Sequence, residues 1–234
     1  REMDDSLRSG ILSSEEFLQG ISRERVGMEM TKILTGENVH SIIYQMLSLG
    51  VLDRVFENIS VDLPAELSTE YLVNLALLFR NSGLTGEELA SEMRDLLVLS
   101  KNDLLEISMM HECRQLSLDA TIESARRFHA AVPNRRKKLI IDYLGKIGIE
   151  TEKFEKLFGS INPGDLILDP IVKGEKLVFV TGLPPGPRLG RLKGWLHRRQ
   201  VEEASRTEED VLQFLSHIDW ESSDYQEWEA LSWP

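Results

Sequence analysis

The punctuation of this chain constrains its fold more than any other feature. Good helix starters recur ahead of apolar residues spaced three and four apart, glycines or a proline stop the runs, and strand-like alternation is nearly absent. Ser22 suits the N-cap of a helix over residues 23–34, with Val26, Met30, Ile33 and Leu34 inward and Gly36 as the stop. A second helix is expected over 38–49, closed by Gly50, then a connector over 51–56 that buries Leu52 and Phe56. Ser68 opens an apolar helix over 71–79. Thr85 and Glu88 have capping-box spacing for a helix reaching Leu99, and Ser100 starts another reaching Leu116. Residues 117–131 continue as helix until Pro133. Asn134 then caps a helix to Ile147 whose inner face is Leu139, Ile140, Tyr143, Leu144 and Ile147. A short helix over 150–158 and a turn over 160–164 follow. Residues 165–181 show no long helical period, so Leu177 to Val180 reads as a strand or an extended linker. Thr207 caps a last helix to Ile218. Ser13 and Ser14 precede a short turn at 15–18. The expectation is an all-α fold, an elongated array of packed helices. Its expected parts are a helical body over 1–158, a helical tail module over 159–218 and a flexible acidic, aromatic end over 219–234.

The charge is segregated. The chain carries net charge −12, yet residues 177–201 hold no acid and five cations, Arg188, Arg191, Lys193, Arg198 and Arg199, so the remainder sums to −17. Such separation makes a local anion site on a protein that is otherwise acidic. Pro187 fits the first turn of a helix, and Leu189, Leu192 and Leu196 give it one apolar stripe. The helix start has free N–H groups and a positive dipole end, where carboxylates are usual. Here Gly186, Arg188, Gly190, Arg191 and Lys193 gather instead, with Arg198 and Arg199 further along, and together they suit phosphate. Arg135, Arg136, Lys137 and Lys138 repeat the pattern at a second helix start. The plain alternative for both is a solvated basic surface that balances acidic neighbours.

Self-contained catalysis is not visible. There is no phosphate-binding glycine loop, no Asp-x-Asp, no Gly-x-Ser-x-Gly and no His-Glu-x-x-His, and His40, His111, His129, His197 and His217 are dispersed. No residues suggest a bound metal or cofactor in this chain. Cys113 is the only cysteine and reads as a small core residue, which fits a reducing compartment. No apolar run approaches the roughly 20 residues of a membrane span.

Two segments, residues 21–36 and residues 182–190, resemble class II tRNA nucleotidyltransferases, the CCA-adding enzymes, in their eukaryotic form. Residues 21–36, ISRERVGMEMTKILTG, resemble that family's fifth motif. Residues 182–190, GLPPGPRLG, are similar to its Lys-Pro-Gly-Pro-x-x-Gly segment, although Pro184 stands where the family has Lys. The resemblance implies a helical neck, body and tail without the β-containing catalytic head, so the chain is expected to be inactive alone. It places Ser22, Arg23, Glu24, Arg25 and Glu29 on a neck helix that supports the head. The implied partners are tRNA and that head, with neither membrane nor DNA. The implied cofactors are magnesium with CTP and ATP, held by the head and not by this chain. The implied location is cytoplasmic, with nuclear and mitochondrial pools. A relative adding only CC, only A or poly(A) remains open, as does a helical adaptor that binds a protein.

Overall fold

The computed structural model of the chain describes residues 4–13, 20–57 and 59–233. It is all-α. Among the described residues there are thirteen α-helices, a few 3-10 turns and no strand. The helices are α1 Asp5–Leu12, α2 Arg23–Leu34, α3 Val39–Ser48, α4 Val51–Val55, α5 Tyr71–Leu78, α6 Gly86–Leu97, α7 Lys101–Glu112, α8 Ile122–Ala131, α9 Asn134–Lys146, α10 Glu152–Ser160, α11 Gly174–Thr181, α12 Pro187–Glu202 and α13 Glu208–Gln213. None of them is long and apolar enough to cross a membrane. The turn expected at 15–18 lies outside the described residues.

Two compact units form, and they interleave along the sequence: Arg1–Leu116 with Lys138–Ile149, and Ser117–Lys137 with Glu150–Pro234. This division departs from the expected breaks at 158 and 218. Helices α8 and α10, expected in the body, pack together, and α8 packs on α12.

The first unit is built around α5, whose residues Leu72 to Leu78 are all buried. Helix α6 packs on α7 and α2, and α5 packs on α7. The Asn74 side chain is fully buried and fully used: its amide donates to the carbonyls of Leu34 (2.8 Å) and Ser68 (2.9 Å), and its oxygen accepts from the Ser68 N–H (2.7 Å). One side chain thus ties the end of α2 to the start of α5 with no orphaned donor. Leu139, Ile140, Tyr143 and Leu144 of α9 are buried as expected. Cys113 is buried too, and burial, with the Glu112 charge behind it, pushes its thiol up to about 12, so it is an inert core residue.

The Thr85 capping box is complete. Thr85 Oγ1 accepts from the Glu88 N–H (3.2 Å) while the Glu88 carboxylate accepts from the Thr85 N–H (2.8 Å). Thr85→Ala should cost about 1 kcal/mol in urea denaturation followed by far-ultraviolet circular dichroism; a shift under a few tenths of that would mean that the cap is redundant.

Several local expectations fail, and Asn134 lies within α9 rather than capping it. Residues 51–55 form a short helix rather than a connector, entered through Gly50 at φ 66°, a left-handed value that glycine takes without strain. Residues 117–121 are not helical, and α8 starts instead after Thr121, whose hydroxyl accepts from the Ser124 N–H (3.2 Å). Leu177 to Val180 are part of helix α11 and not strand. Leu177 is fully buried in the second unit's core beside Leu189, Leu192 and Leu196, and Gly182 at φ 72° closes the helix. Tertiary burial overrides the β-branched propensity there.

The second unit's core also takes in Trp228, with Trp195 and Trp220 packed partly against it. Trp233 is buried and meets Phe128 edge-on at 4.5 Å. Residues 219–233 are therefore folded onto the unit by their aromatic side chains, against the expectation of a flexible end.

Candidate nucleic-acid interface

Helix α2 begins as its sequence dictates, with the Ser22 hydroxyl accepting from the Arg25 N–H (3.4 Å). It buries Gly27, Met30 and Leu34 and turns Glu24, Arg25, Met28 and Glu29 outward. Met28 is 58% exposed, unusual for a large apolar side chain at the centre of a helix. Arg23 pairs with Glu57 of its own unit at 2.7 Å, a surface ion pair in which both side chains stay about half exposed. Glu29 pairs with Lys32 at 2.9 Å, and that hydrogen bond, then the Lys32 charge, holds its carboxyl below the usual range. Glu24 and Arg25 remain exposed.

Helix α12 is the basic helix, with Pro187 in its first turn and Leu189, Leu192 and Leu196 buried. Its cations are less free than the sequence implies. Arg188 donates to the carbonyls of Trp220 (2.9 Å) and Ser223 (2.6 Å), and its guanidinium lies 5.2 Å from the Trp228 ring centre and 5.6 Å from that of Tyr225. It clamps the C-terminal segment and does not face a phosphate. Arg198 bonds Glu202 (2.9 Å) and Glu229, while Arg199 bonds Glu202 (2.9 Å) and Glu203 (2.8 Å) and lies over Phe214. These contacts correct the expectation of a free cationic face at Arg188, Arg198 and Arg199. Arg191 is exposed and donates once, to the Gln226 carbonyl at 3.2 Å. Lys193 is half-buried and has no partner among the described residues. Gly186 and Gly190 are exposed, and a Cβ at Gly190 would meet open space.

Glu202 organises this cluster, and the sequence reading missed it. It is 4% exposed and accepts from Arg198, Arg199 and also Arg127 of α8 (2.7 Å). Burial alone would raise its carboxyl; hydrogen bonds and charge from Arg198 and Arg127 outweigh that and lower it. The same two acids, Glu202 and Glu229, overcome burial and hold Arg198 more firmly protonated. The spacing of Glu202 three and four residues after Arg199 and Arg198 was a usable signal. Nothing local announces Arg127.

The second basic turn does not act as a block. Lys137 is buried, and its ammonium donates to Asn134 Oδ1 (2.7 Å) and the His129 carbonyl (2.9 Å). Burial also holds its pKa below the usual lysine value; it is the burial and these acceptors that set Lys137 apart from the exposed cationic turn that was expected. Lys138 sits in the other unit and pairs with Glu70 at 3.2 Å. Arg135 is exposed; Arg136 is half-buried with no partner among the described residues. Among the described residues no three His, Cys, Asp or Glu side chains converge as a metal site would require.

Comparison with known proteins bears on the front of the chain. Residues 2–63 match the family described as "Probable RNA and SrmB- binding site of polymerase A". The front of this chain is thus similar to the RNA-binding region of polymerase-A-type nucleotidyltransferases. The matched stretch runs through α1, α2, α3 and α4 and contains the whole segment 21–36. No curated protein matches the chain.

Proposed function

We propose that this chain is the RNA-binding helical part of a nucleotidyltransferase that extends tRNA 3′ ends with CCA. The match over residues 2–63 carries the reading, because it falls on the segment that resembles a CCA-adding enzyme's neck motif. The tRNA is held by charge and shape, since duplex RNA offers little readable sequence in its deep groove. With net charge −12 the chain repels RNA overall, so attraction comes from a few local cations. Arg25, Arg136 and Lys193 are the best placed, because no hydrogen bond or ion pair occupies their side chains among the described residues. A head domain would supply the chemistry, in which the tRNA 3′-hydroxyl attacks the α-phosphate of CTP or ATP and pyrophosphate leaves; the magnesium that would assist it would be held by that head and not by this chain. This chain's share is to present the acceptor end.

The test is a salt titration of binding to tRNA lacking its CCA end. The triple variant Arg25→Ala, Arg136→Ala, Lys193→Ala should weaken binding and flatten the log–log salt slope by about two units. An unchanged slope at full affinity would overturn these contacts, and no RNA binding at low salt would overturn the reading. Equal affinity for single-stranded RNA would remove the tRNA assignment and leave a poly(A)-adding relative. A protein-docking role is the second reading, favoured by the family's printed mention of SrmB and by exposed Met28 on α2.

A further inference from the structure

A cleft of about 410 Å³ opens in the second unit between α8, α12 and the C-terminal segment, lined by Arg127, Arg191, Arg198, Glu229, Ala230 and Ser232. Three guanidinium groups meet there with one exposed carboxylate. Glu202 lies behind them, buried, and fixes Arg127 and Arg198 from the far side. Two of the three forks are therefore already held in place before any ligand arrives, which lowers the entropy cost of binding a bidentate anion. The Arg127 Nε is buried with no hydrogen-bond acceptor. That unanswered donor marks the cluster as short of acceptor atoms, which favours an anion at the accessible N–H groups beside it.

Among the residues lining the cleft, Glu229 is the carboxylate that now answers these charges. Its side chain is 71% exposed and bonds Arg198. It differs from the neighbouring contacts of the same segment. Arg188 is held by carbonyls whose position is set by buried Trp228, and the backbone near Ala230 is seated against Gly194, where an added Cβ would come within 2.9 Å of the Ala230 Cβ. Those contacts cannot open without unpacking the core. The Glu229 side chain can swing into water while the segment stays seated.

We propose that the Arg127–Arg191–Arg198 cleft is a phosphate site and that Glu229 is a displaceable internal stand-in for the phosphate. A phosphate group displaces the Glu229 carboxylate from Arg198, draws in Arg191 and lies against Arg127 in the cleft wall. Its source in the cell is an RNA backbone phosphate, a part of the inference that rests on the RNA-binding reading above.

The experiment uses the full chain and two probes, inorganic pyrophosphate by isothermal calorimetry and a short RNA duplex without terminal phosphates by fluorescence anisotropy. The variants are Glu229→Gln and Arg191→Glu, both at exposed side chains, rather than changes at Arg127 or Arg198, which hold buried Glu202; melting curves verify that each folds. Glu229→Gln should tighten both probes about two- to fivefold, as expected for removing a competing surface ion pair. Arg191→Glu should weaken both. Pyrophosphate binding that ignores both variants, or is absent, overturns the cleft as a phosphate site. RNA binding that persists unchanged in that case leaves the RNA-binding reading standing without the cleft. Pyrophosphate binding that responds while RNA affinity does not keeps the site and overturns RNA as its source.

Discussion

Glu202→Ala is expected to destabilise the second unit by about 3 kcal/mol, near the lower end for breaking a buried ion pair from one side. Arg127, Arg198 and Arg199 all bond this carboxylate, and their side chains are 17%, 19% and 32% exposed. Removing it leaves three partly desolvated cations close together with Glu229 and Glu203 as the remaining acids bonded to them. Urea denaturation followed by tryptophan fluorescence isolates the effect, because Trp195, Trp220, Trp228 and Trp233 all lie in this unit. The pH dependence has a defined sign. The folded carboxyl is depressed, so its contribution is full above the ordinary glutamate range and is lost as the pH falls through the lowered folded value. Glu202→Gln should remove that acid-side slope. A loss below about 0.5 kcal/mol, the usual range for a surface substitution, would show that the arginines are solvated and the cluster is loose.

Gly27→Ala should cost the first unit about 2 kcal/mol, the middle of the range for overpacking a core. Gly27 is buried where α2 crosses α6, and an added Cβ would fall inside contact distance of the Leu97 carbonyl oxygen, a backbone atom that cannot swing aside. Gly10, on exposed α1, is the control: a Cβ there meets nothing, and alanine should stabilise the helix by up to about 1 kcal/mol. Amide hydrogen exchange along α2 and α6 reads the difference directly. Equal protection in wild type and Gly27→Ala would mean that the two backbones do not approach this closely. The position also bears on the proposed interface, because this crossing sets which way Arg25 and Met28 face.

Local chemistry was legible and distant chemistry was not. Ser22, Thr85, Ser100 and Thr207 all cap where the sequence places them, since an N-cap needs only a hydroxyl and an N–H three residues on. The α9 inner face was readable from its period alone. Helix α11 was not, because its apolar run follows no helical period and only burial of Leu177 shows which conformation wins. The basic block misled for a related reason. A window without acids looks unpaired, yet Glu202 sits one residue past its end, and the Trp220 and Ser223 carbonyls that take Arg188 lie 32 and 35 residues away. Charge segregation along a chain does not survive folding when an acidic, aromatic segment returns to cover it. Lys137 failed for the opposite reason, since a helix's first turn points some of its side chains inward.

The interleaving of the two units sets an order of events on the ribosome. The first unit takes residues 1–116 but also 138–149, so its core lacks Tyr143 and Leu144 until that helix has left the exit tunnel. Between the two pieces emerges α8, which belongs to the second unit and whose partner α12 is synthesised some 60 residues later. Phe128, fully buried in the finished protein, can meet Phe154 and Phe158 of α10 early in that interval, but Trp233, which packs on the same ring, is among the last residues made. The nascent chain thus carries an unfinished aromatic face through a long stretch of its synthesis, the window in which a chaperone would have most to bind.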